Sequence, residues 1–554
     1  MRLRWLWVPL FVFGLCNSPA RADNRVILRT TLNLQALQAA CNPPLLPSIC
    51  TVVGGLGDPL GQLFLITTPL DLTSLLNLVG NPLGIIDAEL DQLLSLIGGL
   101  NQVTTPPAGL SDTTPVQYSG STVWDGYVNQ PAANIVRVSA AQTTFNVMGR
   151  GIVADIDTGV DPNHPALKPV LLPGYDFTRN QPGGSEMTDY SGPPPSGGPT
   201  SVATVNQSTA AVLDQSTAAV LDATVNPQYA AFGHGTMVMG IIHLVAPQAQ
   251  LLPLKAFSSD GTGYLSNILH AVYYGVQSGT NVINMSFDMK SNSPEFSKAI
   301  NYANQNGVIC GASAGNDGMQ ETVYPAAYQN DVMGVASTSD TDTRSSFSNY
   351  GDAIVWVAAP GEGVISTYPF STYAAGWGTS FSAPFVSGAG ALLLNLDPTT
   401  NESKAAAAVA HAVPVGPGMG NGRLDLVQAL QSVSPSSGNT ADFSASVSPT
   451  ADTINAGQAA LFTVSVMPSG GFNNVVKLGC SGLPTGAFCF VAPSTVTLDG
   501  TNASNAYLVV MTTPRFAFFG SVNPGGTPAG TYSIVVTGTS GNISHTATTQ
   551  LTVN

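Results

Sequence analysis

The rhythm of apolar and polar positions changes twice along the chain. Between residues 23 and 100 a strand-like Arg25 to Arg29 precedes an amphipathic Leu32 to Ala40. Another apolar strand around Gln62 to Thr67 and a helix-like Leu70 to Val79 follow. This order predicts a small α+β unit. From Trp124 onward, short apolar runs such as Ile152 to Asp157 alternate with longer apolar stretches such as Met237 to Ile242 and Phe385 to Leu394. That alternation predicts an α/β domain built on a parallel sheet. Beyond Phe443 the period falls to two, as in Leu461 to Val466 and Tyr532 to Val536, with Gly, Pro and Asn turns between the runs. A β-sandwich is the expected result.

Breaks in these rhythms set the boundaries. Asn101 to Thr122, containing Thr-Thr-Pro-Pro-Ala-Gly-Leu, reads as a linker, and serine-rich Gln431 to Thr440 marks a second. Residues 1–22 have the form of an export signal: Arg2 and Arg4, an apolar run from Trp5 to Cys16, then Ala20-Arg21-Ala22 as a small-x-small cleavage site. The run is too short to span a bilayer, Leu15 stands where a lipoprotein needs a small residue, and Leu83 to Leu100 is interrupted by Asp87, Glu89 and Asp91. The predicted segments are therefore 1–22, 23–100, 101–122, 123–432, 433–441 and 442–554, in a secreted, extracellular or periplasmic protein. One insertion, Gly183 to Pro199, is rich in Gly, Pro and Ser. It leads into an octapeptide, Gln207 to Asp214, repeated as Gln215 to Asp222. Two copies are too few for a solenoid, so a surface loop or a flap over a cleft is expected.

Composition narrows the function classes. A chain of 554 residues with 44% hydrophobic content can bury more than one core. A formal charge of −15 with only 17 Lys and Arg argues against nucleic acid or an anionic membrane as partner. Without the signal, Cys41, Cys50, Cys310, Cys480 and Cys489 remain. Two close pairs are candidates for local disulfides, although spacing alone leaves the pairing open. Cys310 ends an apolar run and reads as a buried small hydrophobe.

Candidate chemistry centres on Gly376-Trp377-Gly378-Thr379-Ser380-Phe381-Ser382-Ala383-Pro384, where small residues lead Ser380 into a helix. A helix mouth favours developing negative charge, and Pro384 is expected to lie early enough to break no intrahelical bond. Asp157 would end the strand Ile152 to Asp157, and His234 in Gly233-His234-Gly235-Thr236 would open a helix. The three motifs Asp-Thr-Gly, Gly-His-Gly-Thr and Gly-Thr-Ser-x-x-x-Pro, in this order, resemble the subtilisin-like serine proteases. Gly261-Thr262-Gly263-Tyr264, Val282 to Ser286, Ala314-Gly315-Asn316-Asp317-Gly318, Phe347 to Gly351 and Val357 to Gly361 extend the resemblance over residues 120–432.

The resemblance implies a subtilisin-like α/β fold, a parallel sheet flanked by helices, acting on protein or peptide substrates. It assigns Ser380 as nucleophile, His234 as base, Asp157 as its orienting carboxylate and Asn316 as oxyanion donor. Gly261, Thr262 and Gly263 on one side, and Ser286, Phe287 and Asp288 on the other, would flank a peptide bound as an added strand. Asp288 departs from the small residue usual there, and Asp317, near the expected primary pocket, hints at tolerance for basic side chains. Residues 23–100, closing in an apolar-Glu-x-Asp pattern, are similar to subtilase propeptides, which are ferredoxin-like, assist folding and cap the active site. Self-cleavage would fall in the linker, making the protein a zymogen. Leu478 to Cys489 and Ala529 to Tyr532 resemble bacterial immunoglobulin-like modules that trail secreted enzymes. The family needs no cofactor for its chemistry; calcium often stabilises it, but no dense carboxylate loop names ligands here, and no His/Cys cluster supports zinc.

Rival readings exist. Asp155 would share a strand face with Asp157, and only the motif separates them. Asp161, His164, His243, His270, His411 and His545 have no motif around them. Gly311-Ala312-Ser313-Ala314-Gly315 matches the nucleophile elbow of α/β-hydrolase esterases, with His411 as base, but Asn316-Asp317-Gly318 is turn chemistry where a helix must begin. Sedolisin-type acid peptidases carry Glu where His234 stands. An inactive binding or adhesion protein would not need the complete set.

Overall fold

Five apolar segments explain the architecture. Ile152–Asp157, Val282–Met285, Ile309–Ser313, Met333–Thr338 and Val357–Pro360 are buried along nearly their whole length. A strand covered on both faces reads as a continuous apolar run, which is the signature of a parallel sheet between helix layers. These strands lie in one eight-stranded sheet, in the order 181–182, 175–176, 250–255, 152–157, 282–285, 309–313, 333–338 and 357–360. All neighbours are parallel except the outermost pair, Gln181–Pro182 with Tyr175–Asp176. The computed structural model describes residues 23–45, 47–96, 107–191, 203–206, 227–434, 441–515, 517–518, 521–522, 526–541 and 543–554. The expected signal segment and the tandem octapeptide lie outside them.

Two helices, His234–Val245 and Thr379–Leu396, run through the interior; the first is buried at every residue and the second from Thr379 to Leu394. Helices apolar all round belong inside a core rather than on its surface. They pack closely because Gly388 faces Val245: a Cβ on Gly388 would lie 2.6 Å from the Val245 Cβ. The contact joins the last residue of the first helix to the middle of the second; open α/β sheets place their ligand crevices at the carboxyl ends of the strands.

Residues 24–90 form a β-α-β-β-α-β unit with an antiparallel sheet ordered 51–55, 63–68, 24–30, 85–90, the ferredoxin-like arrangement. Val26, Leu28, Leu37, Ile66 and Leu75 fill its core, and Cys41 is bonded to Cys50. The second helix spans only Leu72–Leu76, shorter than the apolar pattern from Leu70 to Val79 suggests. Asp71 caps it by accepting from Ser74 N at 2.8 Å, and Asn77 folds back onto Thr73 O, so side-chain capping stops the helix at both ends. Residues 442–553 form facing sheets of four and five strands around Phe443, Phe462, Leu508, Ile534 and Leu551. Cys480–Cys489 ties one sheet to the other, and Cys310 stays reduced and buried. Among the described residues no helix is long and apolar enough to cross a membrane.

Candidate active site

Asp157 is the last residue of its strand and His234 the first of its helix. The turn into that helix needs Gly233, whose φ is +89° and whose missing side chain would meet the Tyr368 ring at 2.2 Å. His234 Nδ1 lies 2.7 and 2.8 Å from the two Asp157 carboxylate oxygens, with both side chains buried. Asp157 Oδ1 also accepts from Thr158 N at 2.6 Å, which holds the carboxylate in place. On the other side of the imidazole, the Phe381 ring centroid is 5.6 Å from that of His234, so the residue next to Ser380 packs on the ring.

Ser380 lies in the first turn of Thr379–Leu396, where amide donors have no intrahelical acceptor. Its Oγ donates to Ser286 O at 2.9 Å. Pro384 is inside this helix, not at its edge, and so removes the donor that would bond Ser380 O. The sequence-based expectation of an undisturbed helix is therefore corrected: the Ser286 hydroxyl supplies the missing donor, at 2.9 Å. Ser286 is held in turn by Asn284 Nδ2 at 2.9 Å, and Asn284 Oδ1 accepts from Ser387 Oγ at 2.8 Å.

Asn316 follows the strand Ile309–Ser313. Its Oδ1 accepts from Thr379 N at 2.8 Å and from Thr379 Oγ1 at 3.0 Å. That fixes which end of the amide is oxygen and turns the Nδ2 donor the other way. Asn316, Asp288, Asp317, Ser313 and Ser380 line one cavity of about 310 Å³.

Gly261, Thr262 and Gly263 form the opposite edge, and that edge is already paired. Leu93–Ser95 runs antiparallel to Thr262–Tyr264, with Leu96 N donating to Gly261 O at 2.8 Å and Leu265 N to Gln92 O at 2.9 Å. Leu94 and Leu96 are buried there. Two carboxylates just before this strand meet helix starts in the α/β domain. Glu89 accepts from Ser293 Oγ at 2.7 Å, and Asp91 accepts from Ser266 N at 2.8 Å and from Arg25 Nε at 2.8 Å. The helix starts favour negative charge there, but burial outweighs this at Glu89 and raises its carboxyl above the usual range.

Sequence reasoning missed Glu186. This fully buried carboxylate accepts from Gly233 N at 2.8 Å, Thr158 Oγ1 at 3.0 Å and Thr236 Oγ1, joining the loop after Asp157 to the start of the His234 helix. Burial pushes its carboxyl up to about 7. Buried Lys255 lies beside it, donating to Thr158 O at 2.8 Å and paired with Asp189 at 2.7 Å. Glu186 sits in the Gly/Pro/Ser-rich insertion, where no motif or periodicity marks it.

The rival residues separate cleanly. Asp155 bonds Asn284 Nδ2 at 2.9 Å, its Oδ2 has no partner, and burial followed by the Asp157 charge raises its carboxyl well above the usual range. Its hydrogen-bond partner is Asn284, and it is not a second partner for His234. Asp161 accepts from Phe370 N at 2.9 Å, and burial lowers His164 and His243 to about 4. Ser313 Oγ donates to Phe287 O at 3.2 Å, and the chain runs from that strand to Met333–Thr338 with no helix between. The nucleophile-elbow reading therefore fails on geometry.

Residues 149–446 match the profile of the Subtilase family. The chain is 32% identical over 287 residues to Thermitase of Thermoactinomyces vulgaris, covering 51% of this chain and 88% of that protein. It is 39% identical over 176 residues to Subtilisin BL of Lederbergia lenta, covering 30% of this chain and 65% of that one. A solved structure of a cold adapted subtilisin-like serine proteinase aligns with a TM-score of 0.40 and 26% identity, over 50% of this chain and 89% of its own.

Proposed function

Because this chain belongs to the subtilase family and is a subtilisin-like serine protease acting on protein or peptide substrates, we propose that Ser380, His234, Asp157 and Asn316 carry its chemistry. The observation that carries the assignment is the buried His234–Asp157 pair at 2.7 Å, beside a helix mouth where Ser380 shares a cavity with Asn316. Ser380 Oγ attacks the peptide carbonyl while His234 Nε2 takes its proton. Asp157 keeps the remaining proton on Nδ1 and stabilises the imidazolium. The tetrahedral oxyanion receives hydrogen bonds from Asn316 Nδ2 and the first-turn amide of Ser380. His234 gives the proton to the leaving amine; it then takes a proton from water, which attacks the acyl carbon, and returns it to Ser380 Oγ as the ester bond breaks.

We also read residues 23–100 as a propeptide and the protein as an exported zymogen without nucleic-acid or membrane partners. The strand Leu93–Ser95 on the Thr262–Tyr264 edge supports this, since a strand there occupies the place of a substrate. The edge of Ser286, Phe287 and Asp288 is the other wall of the same cleft. The trailing β-sandwich is read as a spacer. The test is direct: Ser380→Ala should abolish casein hydrolysis and fluorophosphonate labelling. N-terminal sequencing should find wild type cut within the linker, residues 101–122, and Ser380→Ala uncut there. Hydrolysis or labelling that survives in Ser380→Ala removes Ser380 from the mechanism.

A further inference from the structure

Asp288 places a carboxylate where the cleft wall meets the reacting centre. Its Oδ2 lies so near Gly315, the residue before Asn316, that a Cβ on Gly315 would approach it to 2.7 Å. Gly315 has φ +94°, so both its conformation and its lack of a side chain leave room for the carboxylate. Asp288, Gly315, Asn316 and Ser380 all line the same cavity of about 310 Å³.

No cation is paired with this carboxylate among the described residues. Lys290, the nearest positive charge, is engaged by Asp317 at 3.2 Å and by Glu321 at 3.0 Å. Asp317, which the sequence singled out as the acidic feature of this pocket, already has a cationic partner, whereas Asp288 has none among the described residues. Asp288, Asp317 and Glu321 place three carboxylates against the single ammonium of Lys290, an excess of acidic groups that favours a positive guest.

From this geometry we infer that Asp288 is a specificity-determining residue, selecting substrates with a lysine or arginine side chain at the residue whose carbonyl Ser380 attacks. The inference rests on the reading of Ser380 as nucleophile. A carboxylate lining the cavity that Ser380 also lines, and that Gln92 to Leu96 fill before maturation, pairs with a cation and leaves a neutral side chain opposite an uncompensated charge. Burial, then the charge of Asp317, raises the Asp288 carboxyl to about 6, with Glu321 acting in the same direction and Lys290 against it. Its charge, and with it the discrimination, is present at pH 8 and lost as pH falls through about 6.

The experiment compares kcat/KM for paired peptides that differ only in arginine versus citrulline at the residue before the cut, using enzyme matured from the full chain and counted by fluorophosphonate titration. The expected result is at least about tenfold preference for arginine at pH 8, shrinking towards one at about pH 5; His234 affects both peptides equally and cancels from the ratio. Asp288→Asn and Asp288→Ser should each bring the pH 8 ratio near one. Equal rates for both peptides in wild type, or an unchanged ratio in either variant, overturn the inference. If either variant yields no enzyme, the wild-type ratio and its pH dependence decide alone. Absence of hydrolysis of every peptide together with absence of labelling would overturn the nucleophile assignment and this inference with it, an outcome distinct from hydrolysis without preference.

Discussion

Ser286 and Ser380 are joined by two hydrogen bonds running in opposite senses. The Ser380 hydroxyl donates to the Ser286 carbonyl, and the Ser286 hydroxyl donates to the Ser380 carbonyl, each at 2.9 Å. The second bond exists because Pro384 has no N–H to offer Ser380 O. The cleft wall and the nucleophile helix are thereby fixed to each other.

Ser286→Ala should therefore cost about 1–3 kcal/mol, since it leaves a buried carbonyl without a donor and takes an acceptor from Asn284. The cost should shrink in a Pro384→Ala background, where the restored amide can bond Ser380 O. Urea unfolding of the four proteins in this double-mutant cycle measures the coupling; additive effects would mean the two residues act independently.

The Asn316 amide is aimed by Thr379, which uses its backbone N–H and its hydroxyl on Asn316 Oδ1 and also accepts from Gly315 N at 3.2 Å. Asn316→Ala should lower turnover about 10² to 10³-fold with little change in KM, a scale borrowed from oxyanion-donor removal in a subtilisin itself. Thr379→Val removes one of the two aiming bonds, and roughly a 3 to 10-fold fall in turnover is expected. Steady-state kinetics on one peptide reads both, and unaltered turnover in Asn316→Ala removes it from the mechanism.

Glu186 links the loops that carry Asp157 and His234 and holds its proton up to about pH 7, because burial disfavours the charged form. Its folded value lies above the ordinary 4.5, so its stabilising contribution is complete below about pH 4.5 and disappears as pH rises through 7. The difference in unfolding free energy between wild type and Glu186→Gln should change by about 3 kcal/mol across that window. A difference curve flat in pH would show that Glu186 does not titrate there.

Asp91 lies at the start of the helix Leu265–Gln277 and is paired with Arg25 at 2.8 Å, its own side chain fully buried. In Asp91→Asn both the charge at the helix start and the ion pair are lost. Inhibition of the mature enzyme by the separate segment 23–100 should weaken at least about tenfold. Equal inhibition constants for the two segments would show that Asp91 contributes nothing to holding the complex.

What the amino-acid order determined by itself was the set of local decisions. Continuous apolar runs made buried parallel strands, period-two runs made the terminal sandwich, and Gly233 and Gly378 before His234 and Ser380 opened their helices. These depend on neighbours in sequence, so they were legible there. Tertiary structure decided the rest. Asp155 and Asp157 belong to one strand, and only the approach of Asn284 to one and His234 to the other separates them. Glu186, the orientation of the Asn316 amide and the Ser286–Ser380 pair were invisible beforehand, because each depends on hydrogen bonds between groups 28 to 94 residues apart. A hydrogen bond needs its atoms within about 3 Å, and at such separations only the packing of the sheet and its two central helices determines which groups come that close.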